Sequence, residues 1–295
     1  MKRKALVVYN PASGKLKSEK ILEKLVPELR KSGIAYHLLE TRAGESTVAS
    51  IDFKIDQTFT DVIAVGGDGT LNHTLNGIKN YNVVFNIISA GSGNDFVKNI
   101  HIGRTTDDQI KTIIAGSVMR VDVGQCNDQL FLNGVGLGFD GQIVSDMLHK
   151  DSWLKGHLKY YYYVLKILAT FKTIPLKYSL DRKQHNQYTL LLVAANGTTF
   201  GGGFKLTPDA NISDGLLDVC SIGNISPINR FLNIHKLTKG THGSIAQVRF
   251  DKIKSMRIEA NPMIVGHIDG EYLGTPPFDI KILPRFLKLR VNKRF

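Results

Sequence analysis

The chain has 295 residues, of which 38 are Lys or Arg and 26 are Asp or Glu, giving a formal net charge of +12. With 42% hydrophobic and 22% charged residues it has a globular composition. That excludes a disordered or fibrous chain, and at about 100–200 residues per domain it makes one large or two medium domains. The two cysteines, Cys126 and Cys220, are too few for a disulfide framework or a cysteine-based zinc site and fit a reducing compartment. The basic excess points to an anionic partner, with nucleic acid, an acidic membrane and a polyphosphate all open.

Met1-Lys-Arg-Lys carries the charge of a secretory leader. The apolar run Ala5–Tyr9 is shorter than the ~7–15 residues a leader needs and ends at Asn10-Pro11, so it is predicted as a first strand. Ile21, Leu22, Leu25, Val26 and Leu29 recur at helical spacing, in a helix that Pro27 should shorten or kink. Ala35–Leu39, Asp61–Val65 and Val83–Ile88 read as further strands, each followed by Gly, Ser, Asn or Thr and then helix-compatible sequence. This alternation predicts a doubly wound α/β domain, in which ligands sit at the carboxyl ends of parallel strands.

After Val123 strand-like segments dominate. They fall at Gln129–Gly134, Leu176–Leu180, Tyr188–Ala195, Leu216–Ser221, Ser255–Glu259, Met263–Ile268, Phe278–Ile282 and Leu287–Val291, with helices only at Ser152–Phe171 and Pro227–Leu237. The expectation is an α/β nucleotide-binding domain over 1–123 and a mostly β, sandwich-like domain over 124–295, the last strand being free to return to the first domain. No run approaches ~18 uncharged apolar residues, since Tyr160–Leu168 is broken by Lys166. A cytoplasmic protein that touches membranes from the side is expected.

Three polar loops follow predicted strands. In Asp61–Asn72 (DVIAVGGDGTLN) the glycines let the backbone approach phosphate oxygens, and the following helix N-terminus adds N–H donors. Asp68 would repel phosphate there unless Mg²⁺ intervenes or it orients another group. The plainer alternative is a tight turn with Thr70 as helix N-cap. Asn10-Pro-Ala-Ser-Gly14 and Ala90-Gly-Ser-Gly-Asn-Asp95-Phe offer glycines, hydroxyls and amides at the same end, although an Asn-Pro turn and a helix cap at Asp95 would also explain them. Three such loops together favour a shared phosphate site.

Asn10–Gly14, Gly66-Gly-Asp-Gly-Thr70, Gly91-Ser-Gly-Asn-Asp95 and the downstream Asp269-Gly270-Glu271 occur in the order and spacing of the diacylglycerol kinase catalytic-domain family. The chain resembles its bacterial soluble lipid kinases, which are similar to sphingosine and ceramide kinases. The resemblance implies an ATP- and Mg²⁺-dependent kinase acting on a lipid alcohol, most simply diacylglycerol. It implies a nucleotide site at Asn10, Ser13, Thr41, Gly66, Gly67, Asp68, Gly69, Thr70 and Ser92, with Asp95 organising Mg²⁺ and water. It also implies Glu271 as general base, with Asp269 and Asp68 in the catalytic set. A carboxylate that takes the hydroxyl proton, and a cation that offsets phosphate charge, are what such a transfer needs. Read without the family, Asp269-Gly270 is a type I′ hairpin turn, a device that would present Glu271.

The resemblance further implies a structural Mg²⁺ held by the Asp214 side chain with nearby backbone carbonyls, here those of Asn211 and Leu216, in a segment that otherwise reads as an Asp-Gly turn. One departure is Leu71-Asn72-His73, where the family usually has an acid at the third position. His73 either retunes the site or is an exposed helix residue. Trp153–Lys166 mixes aromatics with lysines and suits either an anionic lipid surface or packing on the β domain. The basic tail Lys281, Arg285, Lys288, Arg290, Lys293 and Arg294 reads as a solvated strand edge. No nucleic-acid module is present, and a homodimer is left open. The competing functions are an NAD kinase-like small-molecule kinase, which shares the Gly-Gly-Asp-Gly-Thr loop, and a catalytically weak nucleotide- or membrane-binding regulator.

Overall fold

The structure, a computed structural model, describes residues 2–11, 17–42, 44–150 and 156–293. The chain divides into two compact units, Met1–Val123 with Pro284–Phe295, and Gly124–Leu283. The first unit contains β1 (Lys4–Tyr9), α1 (Lys17–Lys31), β2 (Ala35–Glu40), α2 (Thr47–Lys54), β3 (Asp61–Gly66), α3 (Asp68–Gly77), β4 (Val84–Ser89), α4 (Thr106–Ala115) and most of β5 (Ser117–Cys126). The second contains β6 (Gln129–Phe131), β7 (Gly134–Gly138), α5 (Phe139–His149), α6 (Gly156–Thr170), β8 (Ile174–Leu180), β9 (Lys183–Thr189) and β10 (Leu191–Ala195). It continues with β11 (Leu217–Ile222), α7 (Pro227–Lys239), β12 (Val248–Ile253), β13 (Ser255–Ile258), β14 (Gly266–Ile268), β15 (Glu271–Gly274) and the first part of β16 (Phe278–Val291).

In the first unit β2, β1, β3 and β4 lie side by side, all parallel, and the end of β16 adds a parallel neighbour to β4 at Lys288 and Leu289. β3 is buried along its whole length, as the apolar run Val62–Val65 requires of a central parallel strand, with Asp61 at its start buried by pairing. Ile21, Leu25 and Leu29 of α1 and Ile110 and Ile113 of α4 pack on Ala5, Val7, Ile63, Val65 and Ile88. Pro27 was expected to shorten or kink α1, but the helix continues to Lys31.

The start of β3 is held by one buried carboxylate. Asp61, 1% exposed, accepts from Arg3 Nε and Nη2 (3.1 and 2.6 Å), Arg290 Nη2 (2.9 Å), Thr60 Oγ1 (2.7 Å) and Asn86 Nδ2 (3.2 Å). Arg290 also donates to Asn86 Oδ1 (2.9 Å). The basic tail is therefore not simply a solvated edge: Arg290 is 10% exposed and ties the last strand to β3 and β4. Phe278–Ile282 and Leu287–Val291, read as two strands, form one. β16 passes Arg285, whose φ of 54° is accommodated because its N–H donates to Asp122 Oδ1 (2.7 Å).

The second unit is a β-sandwich. β12, β11, β10, β7, β14 and β15 form an antiparallel sheet, and β9, β8, β13 and the first half of β16 run antiparallel opposite it. Leu137, Leu192, Val219 and Ile268 of one sheet and Leu176, Tyr178, Met256 and Ile280 of the other share one core. α6 and α7 are joined by buried Arg230, which donates from Nη1 to the Leu168 and Phe171 carbonyls (3.1 and 2.8 Å) at the end of α6. Sequence patterning had not shown α5, β9 or β12.

Burial alone would raise the Asp61 carboxyl; the hydrogen bonds from Arg3 and Thr60 and the charges of Arg3 and Arg290 outweigh it and hold it below the usual carboxylate value. A depressed folded-state pKa supplies stability at neutral pH that is lost as pH falls through that value. Asp61→Ala should lower stability by about 3–5 kcal/mol at neutral pH by stranding two guanidinium groups. In urea titrations the gap between variant and wild type should narrow below about pH 4.

Candidate active site

The order β2-β1-β3-β4 places a topological switch point between β1 and β3, where open α/β sheets bind ligands outside the strand carboxyl ends. Tyr9, Gly66 and Ser89 end their strands at that edge, with Tyr9 opposite Val65 and Gly66 opposite Ser89. Asn10 follows Tyr9, and Thr41 is brought beside it by its N–H bond to the Tyr9 carbonyl (2.9 Å). Asn10 is anchored through its carbonyl, which accepts from Ser18 Oγ (2.6 Å). Ser13 lies outside the described residues.

The loops after β3 and β4 touch through glycine. A Cβ on Gly91 would sit 2.5 Å from the Gly67 Cα and 2.9 Å from Asn94 Oδ1, so only a side-chain-free backbone permits this approach. Ala90 N–H donates to the Gly66 carbonyl (2.8 Å), and Asn94, at φ 48°, donates from Nδ2 to the Gly91 carbonyl (2.8 Å). Ser92 is exposed at the crest of this loop.

α3 begins at Asp68, with Gly67 as an N-cap that has no side chain to satisfy the helix N–H groups. Thr70, expected as the N-cap under the plain-turn alternative, instead lies inside the first turn, where its side chain packs over Gly66 in the space a Cβ there would need. Gly69 occupies the same turn. Of the two roles open to Asp68, orienting another group is directly visible: its Oδ1 accepts from Asp95 N–H (2.9 Å). Its Oδ2 and Asp95 Oδ2 both border the position a Gly93 Cβ would take, at 3.0 and 3.8 Å. Asp95 was also open to reading as a helix cap, but its side chain makes no capping bond and pairs with Lys98 Nζ (2.7 Å), a cation missed in sequence despite its i+3 spacing. His73 is half-buried on α3.

In the second unit β14 and β15 form a two-residue hairpin at Asp269-Gly270, with Ile268 opposite Glu271 and φ values of 48° and 87° at the turn. Asp269 was expected beside the general base. Its carboxylate accepts from Leu132 N–H (2.8 Å, Oδ2) and from Asn133 and Gly134 N–H (2.9 and 3.0 Å, Oδ1), and its own N–H donates to the Gly134 carbonyl. It therefore holds the turn on β7, and Glu271, partly exposed, opens β15 just past it. The three backbone donors have no side-chain signature, which is why the sequence left them out.

The Asp214 carboxylate, which the resemblance implies would hold a structural Mg²⁺ with nearby backbone carbonyls, already has partners within the chain. Asn211 Oδ1 accepts from Ser213 N–H and Oγ (3.0 and 2.9 Å), and Asp214 Oδ1 accepts from Leu216 N–H (3.1 Å). Asp214 Oδ2 faces Lys252 Nζ at 3.0 Å, and that ammonium also bonds Asp218 Oδ2 at 2.9 Å. A lysine already supplies the positive charge. Among the described residues no group of three or more His, Cys, Asp or Glu is placed to hold a metal ion.

Comparison with known proteins matches residues 4–126 to the diacylglycerol kinase catalytic domain and residues 133–291 to the YegS C-terminal NAD kinase beta sandwich-like domain. A protein of Staphylococcus saprophyticus named diacylglycerol kinase is 29% identical over 285 residues, covering 94% of this chain and 92% of the relative. One of Staphylococcus carnosus with the same name is 26% identical, covering 99% and 96%. A solved Bacillus anthracis chain described as a diacylglycerol kinase is 26% identical and superposes with a TM-score of 0.74, covering 98% of this chain and 97% of that one.

Gly91→Ala should push the two glycine loops apart at a cost of about 1–3 kcal/mol. The expected outcome is a lower midpoint of thermal unfolding by calorimetry, with far-ultraviolet circular dichroism unchanged.

Proposed function

We infer that the chain, which belongs to the diacylglycerol kinase catalytic-domain family and is a kinase, transfers the γ-phosphate of ATP to the hydroxyl of diacylglycerol, giving phosphatidic acid, or to a related lipid alcohol. The observation that carries this reading is the meeting of the two glycine loops that follow β3 and β4, beside the β1/β3 switch point, in a chain whose likeness to proteins named diacylglycerol kinase spans nearly its whole length. An NAD kinase-like activity shares the Gly-Gly-Asp-Gly-Thr loop but is not favoured by these relatives, and a weakly catalytic regulator has only His73 and the basic surface behind it.

Gly66, Gly67 and Gly91 let Thr70 and the two loops close on one another, and the N-terminus of α3, which has no side-chain cap, turns its positive dipole end to the same strand edge, where phosphate oxygens would be favoured. Asn10, Thr41, Thr70 and Ser92 supply polar groups around it. Asp68 and Asp95 are a hard-oxygen pair of the kind that shares Mg²⁺ with nucleotide phosphates, and the ion offsets their charge when bound. Glu271 accepts the hydroxyl proton as the acceptor oxygen attacks, and Asp269 fixes the turn that carries it. A site of this kind works by positioning and charge neutralisation rather than covalent chemistry.

The substrate resides in a bilayer, so the protein works as a peripheral visitor to anionic membrane on the cytoplasmic side. Supporting this, α6 buries Tyr163, Val164, Ile167 and Leu168 while exposing Leu158, Tyr161, Tyr162 and Leu165 beside Lys166. Its aromatic run thus serves packing on one side and leaves an apolar, basic face on the other; Trp153 lies outside the described residues. Among the described residues no helix is long and apolar enough to cross a membrane.

Purified protein should be incubated with labelled ATP, Mg²⁺ and, in parallel, diacylglycerol, ceramide and sphingosine in anionic vesicles, and NAD in solution. Labelled phosphatidic acid on thin-layer chromatography is the expected result. Phosphorylated NAD with no lipid product would overturn the reading.

A further inference from the structure

The Glu271 turn is gripped from a second side by a pair of buried residues that no motif singles out. His267, 5% exposed on β14, accepts at Nδ1 from the Gly270 N–H (3.3 Å) and faces Asp140 Oδ2 through Nε2 at 3.0 Å. Because Nδ1 acts as acceptor, the ring proton belongs on Nε2, where Asp140 accepts it. Asp140 is itself fixed on the first turn of α5, its Oδ1 accepting from Gly141 N–H (2.8 Å). The pair lies over Gly136 of β7, where a Cβ would overlap both Asp140 Oδ2 and His267 Nε2. The Phe200 ring flanks His267 edge-on at 6.4 Å. A polar couple enclosed this way holds one tautomer and one ring orientation, and its far end is the peptide N–H immediately before Glu271.

We propose that Asp140 and His267 are positioning residues for the phosphoryl transfer: Asp140 sets the His267 tautomer, and His267 Nδ1 holds the Gly270 N–H so that the Glu271 carboxylate is delivered in one orientation. This rests on the reading of Glu271 as proton acceptor. Asp269 anchors the turn to β7, and the His267 bond removes the remaining rotation of the Gly270 peptide, which glycine at φ 87° would otherwise allow. A misplacement of about 1 Å at a reacting group costs on the order of 100-fold in rate, so a bond that only orients the Glu271 turn still acts on turnover.

The test uses His267→Leu, His267→Asn, whose side-chain oxygen can replace Nδ1 as acceptor, and Asp140→Leu, which removes the acceptor for Nε2. In the full-length protein His267→Leu should lower kcat on the order of 100-fold with the KM for ATP unchanged. His267→Asn should recover most of the loss, and Asp140→Leu should lower kcat in the same way as His267→Leu. Amide hydrogen exchange should show Gly270 protected in wild type and His267→Asn but not in His267→Leu. Placed on Glu271→Ala, His267→Leu should cost nothing further, because the two act through one group. A kcat for His267→Leu within about twofold of wild type, or a full additional loss on Glu271→Ala, would overturn the proposal. A fully active Glu271→Ala would instead remove the base assignment, and the exchange data would still report whether His267 holds the turn.

Discussion

The carboxylate of Asp61 is the fixed point of the first unit. It is buried at the start of the central strand and shared between guanidinium groups from opposite ends of the chain, Arg3 and Arg290. A buried ion pair of this kind adds little net stability over well-packed apolar residues, but its geometry is exacting, and removing one partner strands the others. The consequence here is register. With β3 pinned against β1, β4 and the end of β16, Gly66 comes level with Ser89, and the loops beyond them meet at Gly67 and Gly91. The close meeting of those loops thus depends on a charge cluster at the opposite end of the same strand.

The second unit uses carboxylates in a related way, against backbone rather than guanidinium. Asp181 closes the β8–β9 turn by accepting from Lys254 and Ser255 N–H (3.0 and 2.9 Å), and Asp269 closes the β14–β15 turn on three consecutive N–H groups. Each allows a non-glycine residue to hold a positive φ, since the hydrogen bonds offset the local strain. At Asp269 the result is a turn anchored two residues before Glu271. Lys252 plays the complementary part between Asp214 and Asp218, a cation of the chain's own at the place where the resemblance had implied a metal ion.

Much of this was legible in the sequence because it is written in short-range pattern. The apolar runs before Asn10, Gly67 and Ala90 announced parallel strands, and the glycines after them announced tight loops at one end of the sheet. The hairpin at Asp269-Gly270 was legible for the same reason. What escaped is what depends on partners distant in the chain. β9, with Lys183, Gln184 and Asn186 exposed, has too little apolar content to signal a strand and is one only through pairing with β8. α5 follows the glycine-rich β7 with no capping residue, Gly138 standing at its start. Arg290 looked like one more surface cation until Asp61, far upstream, proved to be its partner. The role of Asp269 was hidden because its donors are peptide groups, identical at every position of a sequence.

The account stands or falls on Glu271 as the acceptor of the hydroxyl proton. The most direct measurement is rapid-quench single turnover with ATP and Mg²⁺ saturating, comparing wild type with Glu271→Gln on diacylglycerol in anionic vesicles. The account predicts that the transfer step falls about 10²–10⁴-fold in the variant while nucleotide affinity is retained. An unchanged transfer rate would contradict it.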